Sequence, residues 1–162
     1  MCWVQLDFLW HINIIGDMSV WRVVLDTNVL VAASRSRLGA SFVLLQCLRN
    51  GEFKALVSVP LMLEYEAVLK RPEQLRASGR DAAMTDAFLD ALSLCVEPVH
   101  LHYLWRPQLR DPADEMVLKT ALNGRADALV TLNGRDFAAA ANFRLPVKTP
   151  GAFLRQLQEE KT

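Results

Sequence analysis

Residues 21–33, WRVVLDTNVLVAA, carry the reading from which the rest follows. Val23-Val24-Leu25 is a β-branched apolar run, short enough for one buried strand, and it ends on Asp26. Thr27 or Asn28 can then cap a helix through Val29–Ala33. Asp26 therefore sits at a strand's carboxyl end, directly before a helix. A strand that passes straight into a helix is the opening unit of an α/β sheet.

Outward from this stretch the alternation repeats. Leu38, Phe42, Leu45 and Leu48 fall at helical spacing and predict a helix over 37–49, stopped by Asn50-Gly51. Phe53–Val57 reads as a second buried strand. Leu61, Tyr65, Val68 and Leu69 recur at i, i+4, i+7 and i+8, in a helix that ends before Pro72. Residues 73–84 are polar and read as a loop or the lead-in to a helix, and an amphipathic helix follows over Thr85–Cys95. From Glu97 to Arg110 the chain reads as irregular, with two prolines, until Asp111-Pro112 opens a helix that stops at Asn123-Gly124. Ala128-Leu129-Val130 is a third short buried strand. Phe143, Leu145 and Val147 alternate with Arg144, Pro146 and Lys148, as in a half-exposed edge strand. Thr149-Pro150 starts a last helix. Strands alternating with helices predict a mostly parallel sheet in a three-layer α/β/α sandwich, with sites beyond the carboxyl ends of its strands.

At 162 residues, 52% hydrophobic and 22% charged, the chain makes one ordinary domain with a sizeable core. Eighteen basic against eighteen acidic residues exclude a wholly electrostatic nucleic-acid binder and leave room for a local basic patch. Cys2, Cys47 and Cys95 have neither disulfide nor zinc spacing, and read as buried structural thiols in a reducing, cytoplasmic compartment. Residues 1–20 read as an N-terminal extension ahead of a domain over 21–162. The extension is apolar, but it lacks a basic start, is broken by Asp7 and His11, and has no run long enough for a membrane anchor. In one reading Met18 is the natural start; in the other the segment is an arm that packs on the body or on a second subunit.

The acids carry the chemistry. With Thr27 and Asn28 available as caps, Asp26 is free for another role. Asp111 suits an N-cap, Pro112 the first helical position and Asp114 the third, where an acid favours the helix dipole. Asp114 also shares a face with Val117, Leu118 and Ala121, at the rim of the buried stripe, where a carboxylate needs a partner. Glu64 lies on the core-facing side with Leu61 and Val68, whereas Glu66 points to solvent. Past the third strand, Thr131-Leu132-Asn133-Gly134-Arg135-Asp136 puts Asn133 and Asp136 in a glycine-containing turn. Acids after two strands and from two helices meet at one edge of a parallel sheet. Carboxylates converging without Cys or His suit a hard cation, Mg²⁺ or Mn²⁺, and such ions clamp phosphate oxygens and activate water.

VVLDTNVLVAA, LMLEYEAVLKRP, RDPADEMVLKTAL and ADALVTLNGRDF, in this order, resemble the PIN-domain family, in particular the toxin-like PIN group of prokaryotic toxin–antitoxin systems, over residues 21–155. The resemblance implies a metal-dependent ribonuclease on an α/β/α sandwich. The family's acids fall on Asp26, Glu64 and Asp114, with Asp111 close by, and its polar pair on Thr27 and Asn28. Asn133 stands where many members carry an aspartate. Asp136, three residues on, can take that position, with Asn133 lending an amide oxygen or holding a water and Thr131 in support. An RNA substrate, a small antitoxin covering the acidic cleft and a homodimer are implied as well.

Two other functions stay open. One is a degenerate member that binds RNA or a protein without turnover, motivated by Asn133. The other is a small Mg²⁺-dependent phosphohydrolase, because LDTN is superficially similar to the D-x-D motif of haloacid-dehalogenase-like phosphatases, with Asn28 in place of the second aspartate. His100-x-His102 lacks a third ligand nearby and reads as structural. Trp3, Trp10, Trp21 and Trp105 read mostly as packing residues. Arg35, Arg37, Lys70, Arg71, Arg106, Arg110, Lys119 and Arg135 stand near the acidic motifs in sequence and are candidates for a basic margin that positions a phosphate backbone.

Overall fold

The computed structural model describes residues 20–103 and 106–161. The expectations for residues 1–19, with Cys2, Trp3 and Trp10, and for Trp105 lie outside the described residues. Strands β1 (Arg22–Leu25), β2 (Lys54–Ser58), β3 (Val96–Val99), β4 (Ala128–Val130) and β5 (Val147–Lys148) form one sheet in the order β3-β2-β1-β4-β5, every neighbouring pair parallel. Helices α1 (Thr27–Arg35) and α2 (Ala40–Arg49) join β1 to β2, and α3 (Val59–Leu69), α4 (Pro72–Ser78) and α5 (Ala82–Ser93) join β2 to β3. Helix α6 (Pro112–Asn123) leads to β4, a 3₁₀ segment (Gly134–Phe143) kinked at Phe137 leads to β5, and α7 (Pro150–Glu159) follows.

From β1 the chain steps one way, to β2 and then β3; α6 carries it back past β1 to β4 and on to β5. Parallel crossovers are right-handed, so this reversal puts helices on both faces of the sheet. The result is the three-layer α/β/α sandwich that the alternation of elements predicts. It also makes the gap between β1 and β4 a topological switch point, where the connections leave in opposite directions and a crevice opens beyond the strand ends.

Val23, Val24, Leu56 and Leu129 have no exposed surface, as central strands covered on both faces require. Phe153 of α7 packs edge-on against Phe53 and Trp21, with ring centroids 5.3 and 5.8 Å apart, which fits Trp21 as a packing residue. At Gly124, after α6, an added Cβ stands 2.9 Å from both Leu56 Cδ1 and Val99 Cγ2, so the close approach of α6 to the sheet needs glycine there.

Several local expectations are corrected. The stretch from Glu97 is not irregular throughout, because β3 occupies Val96–Val99. As an outer strand β3 is only partly buried, and the sheet's edge tolerates Pro98, so both strand signals are muted. Residues 73–84 hold most of α4 and the start of α5 rather than a loop. Gly79, with φ of +67°, ends α4, and Asp81 caps α5 by accepting from the Met84 amide at 2.7 Å. Helix α2 begins only at Ala40, so Leu38 is 96% exposed ahead of it and the buried face is Ser41, Leu44 and Leu48. The alternation over 143–148 shrinks to β5, because the 3₁₀ segment runs up to Phe143. Cys47 and Cys95 are half-buried free thiols, not buried ones. Among the described residues, no helix is long and apolar enough to cross a membrane.

Candidate active site

β1 delivers Asp26 to the switch point. Asp26 itself takes the N-cap position of α1, with φ −68° and ψ 149°, which corrects the expectation that Thr27 or Asn28 does so. Thr27 is already the first helical residue, and its hydroxyl is buried without a hydrogen-bond partner. Asn28 reaches across to the end of β4: its Nδ2 donates to Thr131 Oγ1 and its Oδ1 accepts from the Leu132 amide, both at 3.2 Å.

Asp26 is buried, and its main-chain amide donates to the Val130 carbonyl at 2.8 Å, fixing β1 to β4 where the carboxylate leaves the sheet. Thr131 Oγ1 donates to Asp26 Oδ2 at 2.6 Å. The same hydroxyl accepts from Asn28 Nδ2 and, at 3.0 Å, from the Asn133 amide, which exhausts its one donor and two acceptor sites. Its proton is thereby committed to Asp26. On the other side of β1, the fully buried Tyr65 of α3 donates its hydroxyl to the Leu25 carbonyl at 2.5 Å. Asn133 Nδ2 donates to Asp136 Oδ2, so the two candidates for the fourth position are tied to each other.

Helix α6 brings the remaining acids, as the spacing predicts. Asp111 is the N-cap and accepts from the Ala113 amide at 2.8 Å, Pro112 follows, and Asp114 stands half-buried in the first turn. The charges of Asp26, Asp111 and Asp136 all reach Asp114. Burial raises the Asp26 carboxyl above its ordinary range and the charge of Asp136 adds to the rise; the Thr131 hydroxyl, then the nearby amides of Thr27 and Asn28, pull it back. Those amides act without closing a capping hydrogen bond of normal geometry. The Asp114 carboxyl is pushed up to about 6, first by burial and then by the charges of Asp26, Asp111 and Asp136. Elements distant in sequence thus place their negative charges at one crevice.

Glu64 is half-buried on α3, between the buried Leu61 and Val68, and its charge is not among those acting on Asp114. Glu66 pairs with Lys70 at 2.7 Å on the solvent side, as expected. Among the described residues, no group of three acidic, His or Cys side chains converges closely enough to hold a metal ion ready-made. The chemistry of the donors nonetheless fits a hard cation. All are oxygens; one carboxylate is buried, a second is crowded by its neighbours, and the Thr27 hydroxyl next to Asp26 lacks a partner. A divalent ion offsets that crowding, and Mg²⁺ in particular is held by one or two carboxylates with water completing its shell.

A cleft of about 400 Å³ opens beside the acids, lined by Gln108, Arg110, Asp111, Asp114, Arg135 and Asp136. Of the basic residues near the acidic motifs in sequence, Arg110 and Arg135 reach this cleft. Arg35 binds Gln74, Lys70 bridges Glu66 and Asp86, and Lys119 pairs with Glu115. His100 and His102 are exposed just past β3, with their rings 6.1 Å apart. Sequence reasoning missed the polar use of Tyr65, which reads as core by periodicity, and Glu115, which is only 5% exposed. The available signal for Glu115 was its place directly after Asp114 in DPADE.

The family profile described as PIN domain matches residues 22–135. No curated protein matches the sequence. Among solved structures, the fold is similar to the crystal structure of VapBC2 from Rickettsia felis bound to a DNA fragment from their promoter. That likeness has a TM-score of 0.55 and 17% identity, and covers 79% of this chain and 98% of that one. At such identity it speaks to the fold alone, whereas the profile spans most of the chain and every candidate site acid except Asp136. The chain belongs to the PIN-domain family.

Proposed function

We propose that this protein is a metal-dependent endoribonuclease and the toxin of a toxin–antitoxin pair. The observation that carries the reading is the grouping of Asp26, Asp114 and Asp136: beside burial, the charges of Asp26 and Asp136 help to raise the Asp114 carboxyl, and that of Asp136 helps to raise Asp26. Asp26, Asp114 and Asp136 are the residues to hold Mg²⁺ or Mn²⁺, with Glu64 on α3 and the Asn133 amide oxygen as further donors. When bound, the cation draws in phosphate oxygens and makes water easier to deprotonate. The protein's own groups do the rest. Thr131 and the Tyr65–Leu25 hydrogen bond fix the place and direction of Asp26. Arg110 and Arg135 pair with phosphate oxygens along the cleft, which holds the scissile phosphodiester in register. Asp114, less buried than Asp26 and with its carboxyl pushed up to about 6, takes the proton from the attacking water.

The antitoxin partner is supported by the shared fold with VapBC2. A homodimer is supported by Val59 and Leu63, 73% and 59% exposed one turn apart on α3. The Asn133–Asp136 bond favours a second reading, a binding module without turnover, because it ties to each other the two groups available at the fourth acidic position. Family membership leaves the phosphohydrolase reading without support. The deciding experiment is cleavage of single-stranded RNA with Mn²⁺, with and without chelator, by the wild type and Asp26→Asn. Activity lost with chelator and in Asp26→Asn supports the nuclease; full activity in the variant rejects the assignment, and metal binding without cleavage establishes the binding module.

A further inference from the structure

Glu115 follows Asp114 on α6, and one helical residue rotates the side chain by about 100°, away from the acids. Its carboxylate is buried, and Oε2 accepts the main-chain amides of both Gln108 and Leu109 at 2.9 Å. Oε1 has no hydrogen-bond partner and stands 3.6 Å from Lys119 Nζ one turn further on. A buried carboxylate persists only where it is paired, and here the partners are two loop amides and one lysine. The loop between β3 and α6 has no strand or helix of its own over residues 106–110, and within it Gln108 Nε2 donates to the Arg106 carbonyl at 2.8 Å. Of the residues lining the acidic cleft, Gln108, Leu109 and Arg110 come from this loop.

We propose that Glu115 is a positioning residue that sets the 106–110 loop so that Arg110 and Gln108 stand at the mouth of the acidic cleft and grip a nucleic-acid phosphate backbone. Glu115 itself never touches the ligand; it acts through the loop amides. The proposal rests on the cleft being a nucleic-acid site, and its test separates the two claims.

The test measures binding of a fluorescein-labelled single-stranded RNA dodecamer by anisotropy, in chelator so that nothing is cleaved, over a series of salt concentrations. Arg110→Ala is expected to weaken binding about tenfold, the loss of one charge-assisted phosphate contact, and to lower the salt slope by about one. Glu115→Ala should reproduce both effects, and the double variant should add nothing to either. Glu115→Gln keeps an acceptor for the two amides and should bind within about threefold of wild type. Glu115→Asp keeps the charge but falls one methylene short of the amides, so it should lose salt slope as Glu115→Ala does; it serves if the alanine variant fails to fold. A Glu115→Ala or Glu115→Asp variant with the wild-type slope, alongside a weakened Arg110→Ala, overturns the role of Glu115 and leaves the cleft standing. An Arg110→Ala variant that binds like wild type overturns the cleft reading, and the role of Glu115 with it.

Discussion

Replacing Asp114 with asparagine isolates the electrostatic strain of the cluster, because the two side chains have nearly the same shape. The Asp114 carboxyl is held at about 6 against an ordinary 3.8, through burial and the charges of Asp26, Asp111 and Asp136. Each pH unit of such a rise corresponds to about 1.36 kcal/mol, so the ionised group costs the fold about 3 kcal/mol before screening. The side chain is only half-buried, and solvent screening brings the figure down to about 1 kcal/mol. The sign follows from the raised folded value. The group's contribution is fully present below the unfolded pKa near 3.8 and is lost as pH rises through about 6. In the first turn of α6 the ionised carboxylate also gains up to about 0.5 kcal/mol from the helix dipole, which asparagine gives up. Asp114→Asn should therefore be more stable by about 0.5–1 kcal/mol above pH 7, a rise of about 1–4 °C in Tm for a domain of this size, and should melt with the wild type near pH 4. Circular-dichroism melts in chelator across that range read the difference directly. In excess Mn²⁺ the order should reverse, because only the wild type gains the full binding term. A variant that melts below wild type at pH 7.5 in chelator, or by a margin that ignores pH, refutes the crowding of these acids.

Three further outcomes follow from the same geometry. Thr131→Val removes the hydroxyl that donates to Asp26 Oδ2, a hydrogen bond to a charged group worth about 1.5–3 kcal/mol at neutral pH, while Thr131→Ser should keep most of it; chelator melts at pH 7.5 compare the three proteins. Tyr65→Phe leaves the Leu25 carbonyl short of its buried donor, so the urea midpoint should fall by about 1–2 kcal/mol in stability with an unchanged m-value. Gly124→Ala forces a methyl group to within 2.9 Å of Leu56 and Val99, and should cost about 1–3 kcal/mol in the same denaturation assay without altering the stabilisation by Mn²⁺.

The parts legible in the sequence are those where one local cause decides the structure. The run Val23–Leu25 before Asp26, the Asp111-Pro112 cap and the Thr149-Pro150 start each combine a burial pattern with a fixed terminal residue, and each appears as expected. β3 was hidden because an outer strand needs little apolar surface, and Pro98 argues against a strand only where the sheet is closed on both sides. Of the candidate site, the places of Asp26, Asp111, Asp114 and Asp136 just past strand ends or at a helix start were legible. What Thr27, Asn28 and Thr131 do there was not, because it depends on β1 lying beside β4, a pairing 105 residues apart. Asn28 looks like a cap by composition and acts instead as a bridge from the start of α1 to the residues just past β4. Tyr65 and Glu115 were invisible for the same reason: their hydroxyl and carboxylate serve main-chain groups that only the folded chain brings near.

Calorimetric titration of Mn²⁺ at pH 7.5 into the wild type and Asp26→Asn tests the carboxylate cluster most directly. The account predicts saturable binding by the wild type and an affinity at least about tenfold lower in the variant, a difference of about 1.4 kcal/mol. A wild type that takes up no Mn²⁺, or a variant that binds it equally well, contradicts it.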